Sequence, residues 1–152
     1  MKKAFVVAFI IGAGFLTYRF TTSHGPVAIY KSFAEKILHR DFAGAAAMSD
    51  GLTADDLEKQ GSQEHIGAGP EMFQKLFPSQ YQVETNERNA DGSVTLHVLQ
   101  TVFFNPQGVE SAVRPAMYAK LRQVITLHKG EGGWRVTAFT NTCEKMDTVS
   151  GK

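Results

Sequence analysis

The hydrophobic period of this chain changes at Pro78, and that change constrains the fold more than any other feature. Before it, Tyr30, Phe33, Ala34, Ile37 and Leu38 recur at the three-and-four spacing of one buried helix face, while Lys31, Glu35 and Lys36 take the wet side. After it, Val94, Leu96, Val98, Val102 and Phe104 alternate with other residues, the period of a strand. Helices first and strands afterwards cannot build an alternately wound parallel sheet. The order predicts an α+β fold, with N-terminal helices packed on a curved antiparallel sheet of three to four strands.

Local signals divide this frame further. Gly25-Pro26 opens the first helix and His39-Arg40-Asp41 ends its pattern; Asp41 then caps a short second helix running through Met48. Thr53-Ala54-Asp55-Asp56 reads as a cap with acids in the first turn, leading to a helix that stops near Gly61. Pro70 starts a short turn in which Met72, Phe73, Leu76 and Phe77 pack, ended by Pro78. Tyr81–Thr85 reads as the first strand, and Asn89-Ala90-Asp91-Gly92 as a hairpin turn. Residues 94–104, 118–129 and 134–142 read as further strands, separated by Asn105-Pro106-Gln107-Gly108 and Gly130-Glu131-Gly132-Gly133.

The N-terminus is of another kind. Met1-Lys2-Lys3 is a short cationic start, and Ala4–Leu16 carries no charge, the layout of an export signal. No good small-x-small cleavage site follows it, so an uncleaved anchor is expected, with Tyr18 and Phe20 at the far interface. The division is then a signal peptide or signal anchor at 1–20, a linker at 21–25, one domain at 26–145 and a flexible tail at 146–152. The exported location is extracytoplasmic, periplasmic and anchored in the inner membrane through that segment.

Charge and cysteine content exclude several classes. The chain of 152 residues carries a formal charge of +1, and Lys2, Lys3 and Arg19 all lie before residue 25, so the body has no basic field for nucleic acid. Cys143 is the single cysteine, which rules out an intramolecular disulfide and a cysteine-built cluster. No two histidines have the spacing of a metal pair. Neither metal nor cofactor is expected.

The run Arg40-Asp41-Phe42-Ala43-Gly44-Ala45 after the first helix, the late long hairpin, and Gly132-Gly133-Trp134-Arg135-Val136 opening the last strand together resemble the nuclear-transport-factor-2-like superfamily, over residues 26–145. The resemblance implies a cone of curved sheet wrapped over the first helix, and in many members dimerisation through the outer sheet face. It also implies a test for catalysis. Ketosteroid isomerases of this superfamily use a pocket tyrosine and two pocket acids. Aligned on Arg40-Asp41-Phe42, the tyrosine position holds Phe33, with Tyr30 one turn away. The inward sheet positions carry Val, Leu, Gln, Ala and Trp, and no acid.

Strand parity supplies the candidate sites. Gln100 and Gln123 fall among inward positions, and with Tyr30 and Trp134 they are the candidate pocket lining for a small apolar ligand. The alternative is that the two amides bond each other, the backbone or a buried water, as buried amides more often do. Trp134, Val136 and Ala138 are the expected inward set of the last strand. Leu99, Phe103, Val124 and Phe139 take the opposite parity and are the candidate interface, an apolar patch of the kind that marks a partner. Such a partner is a second copy in a homodimer or an envelope protein. The expected function is an exported, membrane-anchored, non-catalytic binding or assembly domain. The alternatives are a small periplasmic isomerase- or dehydratase-like enzyme acting on an apolar substrate in the cone, and a scaffold subunit of an envelope or secretion complex.

Overall fold

A computed structural model describes residues 25–61, 78–105 and 115–149. The expected anchor at 1–20 and the short turn at 70–77 lie outside the described residues. No helix among those described is long and apolar enough to cross a membrane.

Three helices lead: α1 (Pro26–Leu38), α2 (Phe42–Ala46) and α3 (Ala54–Gly61). Pro26 sits in the first turn of α1, where its missing N–H costs nothing. At the other end the Asp41 N–H donates to the Lys36 carbonyl at 2.8 Å, a closing turn that drives Arg40 to φ 60. Asp41 then caps α2, its Oδ1 accepting the Gly44 N–H at 2.9 Å. For α3, Thr53 Oγ1 accepts the Asp56 N–H while the Asp56 carboxylate accepts from Thr53, a reciprocal capping box.

Four strands follow as an antiparallel meander in the order β1-β2-β3-β4: β1 (Gln80–Arg88), β2 (Val94–Phe104), β3 (Met117–Gly130) and β4 (Gly133–Thr148). Gly92, at φ 82, supplies the left-handed turn conformation between β1 and β2 that glycine adopts without strain. The last strand runs further than the alternation indicated. Thr148 pairs with Met117 and Met146 packs on the core, so residues 146–148, read as tail, are strand.

β2 and β3 keep their parity from end to end, and the inward sets are buried as expected. The edge strands do not. The register slips by one residue at Glu84 in β1 and at Thr137 and Glu144 in β4, each a β-bulge that adds a residue and turns the parity over. Two inferences about β4 are corrected by the bulge at Thr137. Ala138, expected inward, is exposed, and Phe139, expected on the outer face, is 6% exposed and packs edge-on to Phe33, with ring centroids 5.1 Å apart. Phe139 is core.

The helices cover the inner face. Tyr30, Phe33, Ala34 and Ile37 of α1 and Leu57 of α3 meet Leu96, Val98, Ile125, Leu127, Val136 and Phe139 of the sheet. Each fully buried Leu, Ile or Phe there is worth about 1.5–3 kcal/mol over an exposed one. A second apolar group, Val102, Phe104, Ala119 and Leu121, lies further along β2 and β3, with Leu38 from the end of α1.

Candidate functional site

The two apolar groups are separated by a polar belt across the inner face. On β2, Gln100 stands between Val98 and Val102; on β3, Gln123 stands between Leu121 and Ile125; on β4, Asn141 stands between Phe139 and Cys143. All three are at most 2% exposed. Tyr30, itself fully buried, reaches the belt from α1.

A buried amide must find partners, and here the side chains supply them to one another. The Tyr30 hydroxyl donates to Gln123 Oε1 at 2.5 Å. Gln123 Nε2 spends both hydrogens, on Gln100 Oε1 at 2.8 Å and on Asn141 Oδ1 at 3.1 Å. Asn141 Nδ2 donates to the Gln60 carbonyl at 3.5 Å, tying the belt to α3. Gln100 Nε2 donates to Ser79 Oγ and to the Tyr81 hydroxyl, both at 3.4 Å. Tyr81 in turn donates to the Glu35 carboxylate on α1. From Tyr30 to Glu35 every donor points the same way, and the chain ends on the one carboxylate in it. Among the described residues, no buried side-chain nitrogen or oxygen lacks a partner.

The phenols register this setting. Burial, with Tyr81 and Glu35 close by, holds the Tyr30 hydroxyl well above the ordinary tyrosine range. Burial and the hydrogen bond to Glu35 do the same to Tyr81. Neither is an acid or a base near neutral pH. Burial also raises the Cys143 thiol, which is the wrong direction for a nucleophile. Among the described residues no group of His, Cys, Asp and Glu is arranged to hold a metal ion.

Of the candidate lining residues, the fold brings Tyr30, Gln100 and Gln123 together and leaves Trp134 apart. Trp134 opens β4 opposite Lys129 and packs half-buried on the first apolar group, whereas Gln123 pairs with Asn141. Trp134 and Asn141 lie seven positions apart along β4, about 20 Å. Sequence reasoning missed Asn141, Tyr81, Ser79 and Glu35. Tyr81 and Val83 do share the inward parity of β1, and that alternation was the available signal. Asn141 had none, because the bulge at Thr137 hides its facing.

On the outer face, Leu99, Phe103 and Val124 are half-buried and belong to neither apolar group. Arg122, paired in register with Leu99, is held by Glu84 of β1 at 2.5 Å and by Glu144 of β4. Both glutamates are bulge residues. The bulges therefore aim two carboxylates from the two edge strands at one guanidinium.

No protein-family model matches this chain, and no curated protein matches it in sequence. Among solved structures it is similar to ActVI-ORFA from Streptomyces coelicolor. The TM-score is 0.50 at 18% identity, over 78% of this chain and 93% of that one. At that identity the likeness concerns the fold alone.

Proposed function

We propose that this chain is an exported, membrane-anchored, non-catalytic assembly domain of the nuclear-transport-factor-2-like type, which docks a partner on the outer face of its sheet. One observation carries the reading: the polar groups on the inner face are consumed by one another, whereas Leu99, Phe103 and Val124 on the outer face are only half-buried and belong to neither apolar group. An isomerase-like site would need Tyr30, Gln100 and Gln123 turned toward substrate, and each is engaged in the belt. No carboxylate stands among the buried belt residues to act as a base, Glu35 being the half-exposed end of the chain. Export and anchoring rest on Met1-Lys2-Lys3 and the uncharged Ala4–Leu16. A scaffold subunit of an envelope complex is a particular case of the same reading.

Native mass spectrometry of the full chain extracted in detergent tests both halves. An intact mass that includes Met1 or Lys2 is expected for an anchor, and a soluble form starting beyond residue 14 would defeat it. Phe103→Glu is expected to abolish association with the fold retained, because an unpaired charge buried at an interface costs several kcal/mol. An association that survives this substitution would move the docking surface elsewhere.

A further inference from the structure

The outer face holds one charge without a counter-ion, and that charge bears on what a partner must bring, an inference that rests on the docking reading above. Lys120 stands half-buried on β3 between Ala119 and Leu121, whose side chains are buried on the inner face. In the register it lies opposite Thr101 of β2 and Lys145 of β4, with Leu99 and Phe103 two residues to either side of Thr101. Like charges directly opposite each other destabilise a strand pair. Lys145 is compensated, its Nζ lying 3.1 Å from Asp147 and 5.7 Å from the centre of the Tyr118 ring. Lys120 forms no ion pair among the described residues. The acids beside it are already spent. Arg122 Nε and Nη2 hold both oxygens of Glu144, and Arg122 Nη1 holds Glu84 Oε2 at 2.5 Å. Asp147 gives Oδ2 to Lys145 and Oδ1 to the Thr148 N–H at 2.8 Å. Arg122 above all, and Lys120 more weakly, hold the Glu144 carboxyl below the ordinary glutamate range, so the Lys120 charge is felt there without a bond.

We infer that the partner is a different polypeptide whose docking segment sets an Asp or Glu carboxylate between apolar side chains, and that this carboxylate pairs with Lys120. A segment that covers Leu99 and Phe103 covers Lys120 as well, and an ammonium taken out of water without a counter-charge is costly. A carboxylate supplied by the partner removes that cost and fixes the register of docking. Apolar side chains on either side of it then meet Leu99 and Phe103. A second copy carries the same face, with Glu84, Glu144 and Asp147 engaged and another lysine to neutralise. An anionic bilayer or a nucleic acid presents a continuous negative field, which those three acids oppose.

The test uses the full chain in the membranes of its own cells. A zero-length carbodiimide joins an amine only to a carboxylate in direct contact, and peptide mapping then reads which residues it joined. Lys120 should be linked to an Asp or Glu of another polypeptide. The link should vanish in Lys120→Arg, whose guanidinium does not react, while the complex itself is still recovered. In Phe103→Glu both the link and the complex should be lost. With the partner so identified, Lys120→Met should weaken its binding by roughly tenfold or more, because the partner's carboxylate is left buried and unpaired. The thermal midpoint of that variant should be retained; should it unfold, Lys120→Gln is the substitute. A complex that is lost in Phe103→Glu but unchanged or tightened in Lys120→Met overturns the carboxylate and leaves the docking face standing. A Lys120 link confined to this chain or to a second copy of it overturns the inference. A chain with no complex sensitive to Phe103→Glu overturns both.

Discussion

The two faces of this sheet solve the same problem in opposite ways. On the inner face, polar side chains are few and hydrogen-bonded into one directed chain that runs from the fully buried Tyr30, Gln123 and Gln100 to the half-exposed Glu35. On the outer face, the polar side chains are more exposed, and Arg122 forms ion pairs with Glu84 and Glu144. The inner arrangement stabilises because losing one partner strands the others in a dry interior, where an unpaired group costs about 1–3 kcal/mol. The outer arrangement contributes little on its own, because water and salt screen each pair. A buried belt fixes the register of β2, β3 and β4. An ionic face leaves room for a partner.

The sharpest way to break this contrast is to cut the same residue type on each side. Phe139→Ala opens a cavity against Phe33 and should destabilise by about 3–5 kcal/mol. Phe103→Ala, on the half-buried face, should cost about 1 kcal/mol or less. Chemical denaturation of both variants reads the difference directly, and equal losses would mean that the bulge at Thr137 does not turn β4 over.

Next in size is the belt itself. Gln123→Leu strands the Tyr30 hydroxyl, Gln100 Oε1 and Asn141 Oδ1, and should cost about 2–4 kcal/mol. Gln82→Leu, outward and exposed, should fall within about 0.5 kcal/mol of wild type. If the two losses match, the belt is not the register device described here.

High pH offers a smaller, graded effect. The folded state holds Tyr30 and Tyr81 protonated above the ordinary tyrosine value of about 10. Their contribution is therefore complete below that pH and is lost as pH rises beyond it, since the unfolded chain then sheds protons that the folded one keeps. Thermal midpoints measured from pH 8 upward should decline above about 10. The decline should be shallower in Tyr30→Phe/Tyr81→Phe. Smallest of all is Arg122→Ala, which removes its ion pairs with Glu84 and Glu144 and should leave the thermal midpoint almost unmoved in low and high salt alike.

Much of the inner face was legible because β2 and β3 never leave period two. Val94 through Phe104 and Ala119 through Leu127 could be assigned from alternation alone, and Gln100 and Gln123 stood out as polar residues in apolar positions. The edge strands were less legible. A bulge adds one residue without a reliable local signature, so Ala138 and Phe139 exchanged faces and Asn141 escaped notice. The same blindness hid the Glu84–Arg122–Glu144 clamp, whose two acids are far apart in sequence and both stand at bulge positions of the edge strands.

By itself the sequence determined the order of helices and strands, the caps at Asp41 and Thr53, the glycine turn at Gly92 and the inward sets of the two central strands. Each of these depends on neighbours within a few residues, where sterics and hydrogen bonding act locally. Only the tertiary structure decided which polar groups share a site. The bonds from Tyr30 to Gln123 and from Tyr81 to Glu35 join residues 93 and 46 positions apart. Whether an inward amide faces a ligand or another amide depends on what the remaining strands and the helix bring opposite it. Here they brought Tyr30, Gln100 and Asn141 to Gln123, and so closed the inner face on itself.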